Sequence, residues 1–228
     1  KATIIRLEKT DWSMHMKIGI IGATGMAGSA FVIEGYQRRH QVTAITRSAG
    51  KVTRMFGNEI PSFERQNFEL TREDLTQFDV IIVASNFTRA SDHVRFAEYL
   101  HDQLAGTDAP IVVFIVGSST LQMPDGSVMA DRLGLMRGQA PWIEAAIEQA
   151  NEYKYLQTVD DFAWMAISPQ QAFMPGPATP TYLKSDDALI FNAREESRVT
   201  TGTLAKALYD ELEAPTHIHG RFTAADKF

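Results

Sequence analysis

Lys17-Ile18-Gly19-Ile20-Ile21-Gly22-Ala23-Thr24-Gly25-Met26-Ala27-Gly28 is the stretch whose reading settles the rest of the chain. Its first five residues make an apolar run of strand length, and the glycines that follow open a helix. Three physical demands account for small residues at this spacing. The turn from strand to helix is tight, the backbone must come close to a diphosphate, and the helix must pack near the sheet. The diphosphate then lies against free backbone N–H groups at the positive end of the helix. The context agrees: a strand before, a helix after, and a further strand about 20 residues on. Gly22, Ala23, Thr24, Gly25, Met26 and Ala27 are therefore the expected seat of a dinucleotide.

Outward from this motif the chain alternates short apolar runs with amphipathic stretches. Strands are expected over Lys17–Ile21, Val42–Thr46, Phe63–Asn67, Val80–Ala84, Ile111–Val116 and Phe162–Ile167. Most are β-branched and apolar throughout, as strands buried on both faces should be. Helices are expected over Met26–Arg38, Lys51–Phe56, Arg72–Phe78, Asp92–Leu104, Pro141–Gln157 and Thr203–Glu213. Thr71 with Asp74, and Pro141, are start signals. The fifth helix carries Trp142, Ala145, Ala146, Tyr153 and Leu156 on one side, and the sixth has Leu204, Leu208 and Leu212 on one stripe. The fold class that follows is α/β: a Rossmann-type doubly wound parallel β-sheet with helices on both faces.

Composition narrows the classes further. The 228 residues suit one domain with a well-buried core, here residues 16–228. Lys1–His15 reads as a leader or an appended extension, with an edge strand over Thr3–Leu7 as the alternative. Lys and Arg total 22 against 28 Asp and Glu, a net charge of −6 that argues against nucleic acid as a partner. With no cysteine, disulfides, thiolate nucleophiles and Cys-ligated metals are excluded, and a reducing cytoplasm is the expected location. The longest apolar runs, 111–116 and 80–84, are too short to span a bilayer, so no membrane partner is expected. The expected partner is a small-molecule substrate, and the expected state a monomer or homodimer.

The second strand end selects the dinucleotide. A free ribose 2′-hydroxyl is usually held there by Asp or Glu. This chain has no acid between Gly35 and Asn58; it has Thr46-Arg47-Ser48, followed by Lys51 and Arg54. A guanidinium pairs bidentately with a 2′-phosphate, and Ser48 adds a hydroxyl or caps the next helix. NADP is thus expected over NAD, the alternative being an Arg47 that stacks on the adenine of either.

The glycine motif, Thr46-Arg47-Ser48, and Ile167-Ser-Pro-Gln-Gln-Ala-Phe173-Met-Pro-Gly-Pro-Ala-Thr179 resemble the atypical short-chain dehydrogenases. More closely, the chain is similar to small NmrA-like proteins proposed to be NADH-flavin reductases. Val116-Gly-Ser-Ser-Thr120 and Ile190-Phe191 through Thr200-Thr201-Gly202 to Leu204-Ala205 extend the likeness over the whole globular part. The resemblance implies an NAD(P)H-binding Rossmann domain, with a flavin reduced as substrate or acceptor. It also implies a serine after the fifth strand, Ser118 or Ser119, as the catalytic position. The Tyr-x-x-x-Lys pair of ordinary short-chain dehydrogenases is missing: Tyr99, Tyr153, Tyr155 and Tyr182 are followed four residues on by Gln103, Gln157, Val159 and Asp186. Carbonyl reduction, and epimerisation with it, lose their acid–base group. Flavin reduction survives, because the last proton can come from water. A non-catalytic NADP(H)-sensing regulator is the alternative.

Ligands in an open parallel sheet bind beyond the carboxyl ends of the strands. That rule gathers Asn67 and Phe68 near the adenine, and Ala84, Ser85 and Asn86 along the nicotinamide ribose. Ser118 and Pro169 join the cofactor set, and a substrate loop is expected within 168–190. An apolar wall of Phe87, Phe173 and Met174, with Ser119, would take the flat ring of a flavin. His217 and His219 read as surface histidines lacking a third metal ligand. Asp186, Asp187, Glu195 and Glu196 read as solvated acids, and no Gly-x-Ser-x-Gly elbow is present.

Overall fold

Ile18 and Ile20 face one hydrophobic core and Ile21 the other, because β1 (Lys17–Ile21) runs through the middle of a sheet covered on both sides. The computed structural model describes residues 15–227. The expected leader therefore lies outside the described residues except for His15, and the alternative strand over Thr3–Leu7 lies wholly outside them. Eight strands hydrogen-bond in the order β3 (Ser62–Glu64), β2 (Gln41–Thr46), β1, β4 (Val80–Val83), β5 (Ile111–Ile115), β6 (Trp164–Ser168), β10 (Gly220–Asp226) and β8 (Tyr182–Ser185). The order reverses at β1, and a crevice opens there between the β1 and β4 ends.

One face carries α1 (Met26–Gln37), α2 (Ala49–Phe56) and α7 (Thr201–Glu213), which contribute Phe31, Val52, Leu204, Leu208 and Leu212 to the first core. The other carries α3 (Arg72–Thr76), α4 (Asp92–Leu104) and α6 (Pro141–Leu156), which contribute Leu75, Phe96, Leu100 and Leu156 to the second. The start signals operate as expected. Thr71 and Asp74 form a reciprocal capping box, and Pro141 occupies the first turn of α6.

The sheet departs from the all-parallel expectation at one edge, where β8 pairs antiparallel with β10. The cause lies in the preceding connection. After β6 the chain stays at the carboxyl end, where β7 (Ala172–Met174) pairs in parallel with β9 (Arg198–Thr200) in a separate two-stranded sheet. It then enters the main sheet from that end, Tyr182 opposite Asp226, and so runs against its neighbour. The loop beyond β7 is held tightly: the Gly202 N–H donates to Gly176 O at 3.0 Å, and a Cβ on Gly202 would lie 2.4 Å from Ala178 N.

Three further differences bear on the site. The third strand ends at Glu64, and Asn67–Glu69 form a 3₁₀ turn instead of its last residues. A short helix, α5 (Met129–Gly134), stands where none was expected. The buried residues of α6 are Ile143, Ile147, Ala150, Glu152 and Leu156, and Trp142, expected on the same side as Leu156, is exposed. Among the described residues no helix is long and apolar enough to cross a membrane.

Candidate functional site

The carboxyl ends of β1, β2, β4, β5 and β6 surround a cleft of about 1210 Å³. Its floor is the glycine turn. Gly22 sits at φ 79°, and a Cβ on it would fall 2.7 Å from the Ala84 carbonyl oxygen. A Cβ on Gly28 would fall 2.2 Å from Gly22 O, so the first turn of α1 packs directly on the loop that precedes it. The Gly25 N–H donates to Gly22 O at 2.9 Å. Gly25 is also the N-cap of α1, which has no side-chain cap and no acid in its first turn. This helix end has nothing of its own to accept from its leading amides, and no charge to repel an anion. The donor set fits a diphosphate.

Gly22, Thr24, Gly25, Met26 and Ala27 line the cleft, but Ala23 does not. The Ala23 methyl is fully buried in the core beneath α1, so any contact it makes with a ligand is through backbone. Arg47, Ser48 and Lys51 line the adjoining corner, and Arg54, on the last turn of α2, does not. An acid does reach this corner from the next strand. Glu64 Oε1 accepts from the Ala49 N–H at 2.7 Å, taking the N-terminus of α2.

Asn67 and Phe68 line the cleft on the other side of the same corner. Asn67 Nδ2 donates to Ser85 Oγ at 3.2 Å, which ties the third strand end to the fourth. Phe68 rests edge-on against Phe96 and Tyr99, with the Arg95 guanidinium 5.3 Å from its ring centre. Ala84, Ser85, Asn86 and Phe87 follow along β4's exit. Behind Phe87, His93 Nδ1 lies 3.5 Å from Glu152 Oε2 in a fully buried pair. Burial pushes the Glu152 carboxyl up and His93 opposes the rise. Neither residue lines the cleft, so this is no exposed acid–base pair.

The two serines after β5 meet different fates. Ser119 is 2% exposed, and its hydroxyl donates to Ala146 O at 2.6 Å, which commits its single proton. Ser118 is partly exposed, lines the cleft, and makes no side-chain hydrogen bond among the described residues. Pro169 and Phe173 line the cleft as well. Met174 is outside it, 37% exposed, because neighbouring side chains on β7 point to opposite faces.

The histidines and acids set aside on sequence are more engaged than expected. His217 lies 3.1 Å from Asp186 and 2.9 Å from Glu211, and His219 Nε2 is 2.9 Å from Phe162 O. Asp187 is the carboxylate partner of Arg221, a buried guanidinium that also donates to Thr120 O at 2.5 Å.

YwnB from Bacillus subtilis is 33% identical to this chain over 215 residues, covering 93% of the chain and 99% of that relative. The chain belongs to the atypical short-chain dehydrogenase (NmrA-like) family. A solved structure from Lactobacillus casei is similar at 35% identity with a TM-score of 0.88, covering 93% of this chain and 100% of the other. A Streptococcus pneumoniae protein proposed to be an NADH-flavin reductase is 29% identical with a TM-score of 0.81, again over 93% and 100% of the two chains. No family profile matches.

In this NmrA-like chain the cleft is divided by charge. The segments up to Asp92 supply Arg47, Lys51, Glu69, Arg89 and Asp92 to its lining. From Ile115 to Phe173 no lining residue is ionisable. That uncharged half includes Met129, Leu133, Trp142, Ala146 and Gln149, none of which the sequence placed in the site. Spacing carried a signal for three of them: Trp142, Ala146 and Gln149 lie four and three residues apart, one stripe of a helix. The sequence expectation instead groups Trp142 and Ala146 with Ala145, Tyr153 and Leu156 and assigns that side no role in the site.

Proposed function

We propose that this NmrA-like protein is an NAD(P)H-dependent reductase that uses NADPH to reduce a flavin or a flavin-like quinoid compound. The division of the cleft by charge carries this reading. Arg47, Ser48 and Lys51 would hold the 2′-phosphate end, and the bare N-terminus of α1 the diphosphate. Asn67 and Phe68 would flank the adenine, with Ala84, Ser85 and Asn86 beside the nicotinamide ribose. Bound there, the reduced nicotinamide supplies a hydride, and the acceptor leaves with that hydride and one proton from water.

The chain's own part at the reacting end is orientation and exclusion of water. Ser118 offers a hydroxyl, and Phe173 an apolar face. With no ionisable residue from Ile115 to Phe173, this half provides no acid to protonate a carbonyl oxygen. A ring that takes hydride and draws its proton from water has no need of one. The Streptococcus pneumoniae relative's proposed NADH-flavin reductase activity supports the same class.

The test is anaerobic NADPH oxidation with riboflavin, FMN and FAD offered in turn. Oxidation that saturates with flavin and falls about tenfold in kcat/KM for Phe173→Ala is the expected result. NADPH binding without oxidation by any flavin would identify an NADP(H) sensor instead.

A further inference from the structure

Resting on the flavin-reductase reading, we infer that the acceptor is a neutral planar ring seated on Trp142, with Met129 and Leu133 of α5 completing its apolar wall. Trp142 is 60% exposed, yet it lines the cleft together with Ala146 and Gln149. A different face of α6, with Ile143, Ile147 and Ala150, is turned inward, where Ile143 and Ile147 pack with Leu133 of α5 in a small apolar cluster. A large indole kept open to solvent on the cleft side has its π-face available to a flat ligand. Stacking of that kind requires no hydrogen-bond partner.

The alternative wall is weaker than its sequence suggested. Met174 does not line the cleft, and Phe87 is engaged edge-on with His93 at 5.0 Å. Only Phe173 of that expected trio adds to the uncharged half. The same half contains no cation, so a phosphate carried by the acceptor would gain no ion pair from it. Arg89, on the opposite side, is already paired with Asp92 at 3.2 Å. Recognition therefore comes from the ring system, and the phosphate of FMN contributes little.

Riboflavin and FMN are titrated with wild type, Trp142→Ala and Trp142→Phe in the absence of NADPH, following flavin fluorescence; all three proteins are then assayed anaerobically. Stacking on Trp142 should quench bound riboflavin. Trp142→Ala should weaken riboflavin binding and raise its KM about tenfold, and Trp142→Phe should stay within about threefold of wild type. NADPH affinity should not change in either variant, and riboflavin and FMN should bind within about threefold of one another. Wild-type riboflavin affinity in Trp142→Ala, or FMN held tenfold more tightly than riboflavin, would overturn the seat and leave flavin reduction standing. A wild-type protein that neither binds nor reduces any flavin would overturn the reductase reading and the seat together.

Discussion

Gly28 shows how little room a single residue can have. A methyl group there would meet the Gly22 carbonyl oxygen at 2.2 Å, and a backbone carbonyl in a tight turn cannot move aside as a side-chain tip would. Gly28→Ala should force α1 off the turn, cost about 1–3 kcal/mol of stability, and weaken NADPH by at least an order of magnitude. Calorimetric titration reads the affinity, and Gly134→Ala, with nothing within 4 Å of its new Cβ, is the control that should bind normally. Arg47 is tested by a ratio instead. Arg47→Ala should weaken NADPH by about tenfold or more and NADH by less than about twofold, since a charge-assisted pair is worth roughly 1.5–3 kcal/mol. Equal losses for the two dinucleotides would end the 2′-phosphate assignment. Gly28 was legible in the sequence because its constraint comes from Gly22, six places away in the same motif. Ser119 was not, since its hydroxyl is taken by Ala146, 27 residues on in a helix whose placement only the folded molecule fixes.

Among the elements, α7 and its exit into β10 depend on one acid that no motif announced. Glu211 accepts from Lys184 Nζ at 2.6 Å, from the backbone N–H of His217 at 2.9 Å, and from Thr216. Burial alone would raise this carboxyl. The Lys184 ammonium, the Thr216 donors and His217 outweigh it and hold the group at about 2, below its ordinary 4.5. A carboxyl lowered in the folded state adds stability above its unfolded pKa and loses it as protons return. Urea midpoints should therefore fall as pH drops from about 4.5 towards 2. Glu211→Gln should be less stable at neutral pH and show a flatter fall across that window; an unchanged slope would remove Glu211 as the cause. The same scale explains which elements the sequence disclosed. β1, β2, β4, β5 and β6 were readable because burial on both faces leaves a largely apolar run, whereas β3, an edge strand with Ser62 and Glu64 exposed, was placed only in part. β7, β8 and β9 have three, four and three residues and polar positions among them, too short for a period to emerge. α6 was placed within a residue or so, but its apolar positions serve two environments, core and cleft, and sequence alone does not divide them.

At the scale of the whole molecule, the cleft joins segments from Gly22 to Phe173, so a bound dinucleotide should stabilise the domain as a unit. NADPH at a hundredfold excess over its dissociation constant contributes about 2.7 kcal/mol. For a domain of this size that corresponds to a rise of about 5–10 °C in Tm. A thermal melt with and without NADPH checks it, and an unmoved transition would mean that the folded state has no such site. The cofactor half of the cleft could be anticipated because the glycine motif marks its floor and the ends of the neighbouring strands complete it in a regular order. The acceptor half could not, since α5, α6 and β7 meet there only through tertiary packing. The sheet itself carries one last consequence. Its central strands are nearly uninterrupted apolar sequence, of the kind that recruits further strands when left uncovered. Its two open edges, however, are β3 and β8, three and four residues long, bearing Glu64 and Lys184 respectively. Such short, charged rims give an incoming chain little backbone to pair with, so the molecule guards against aggregation at the two places where it would begin.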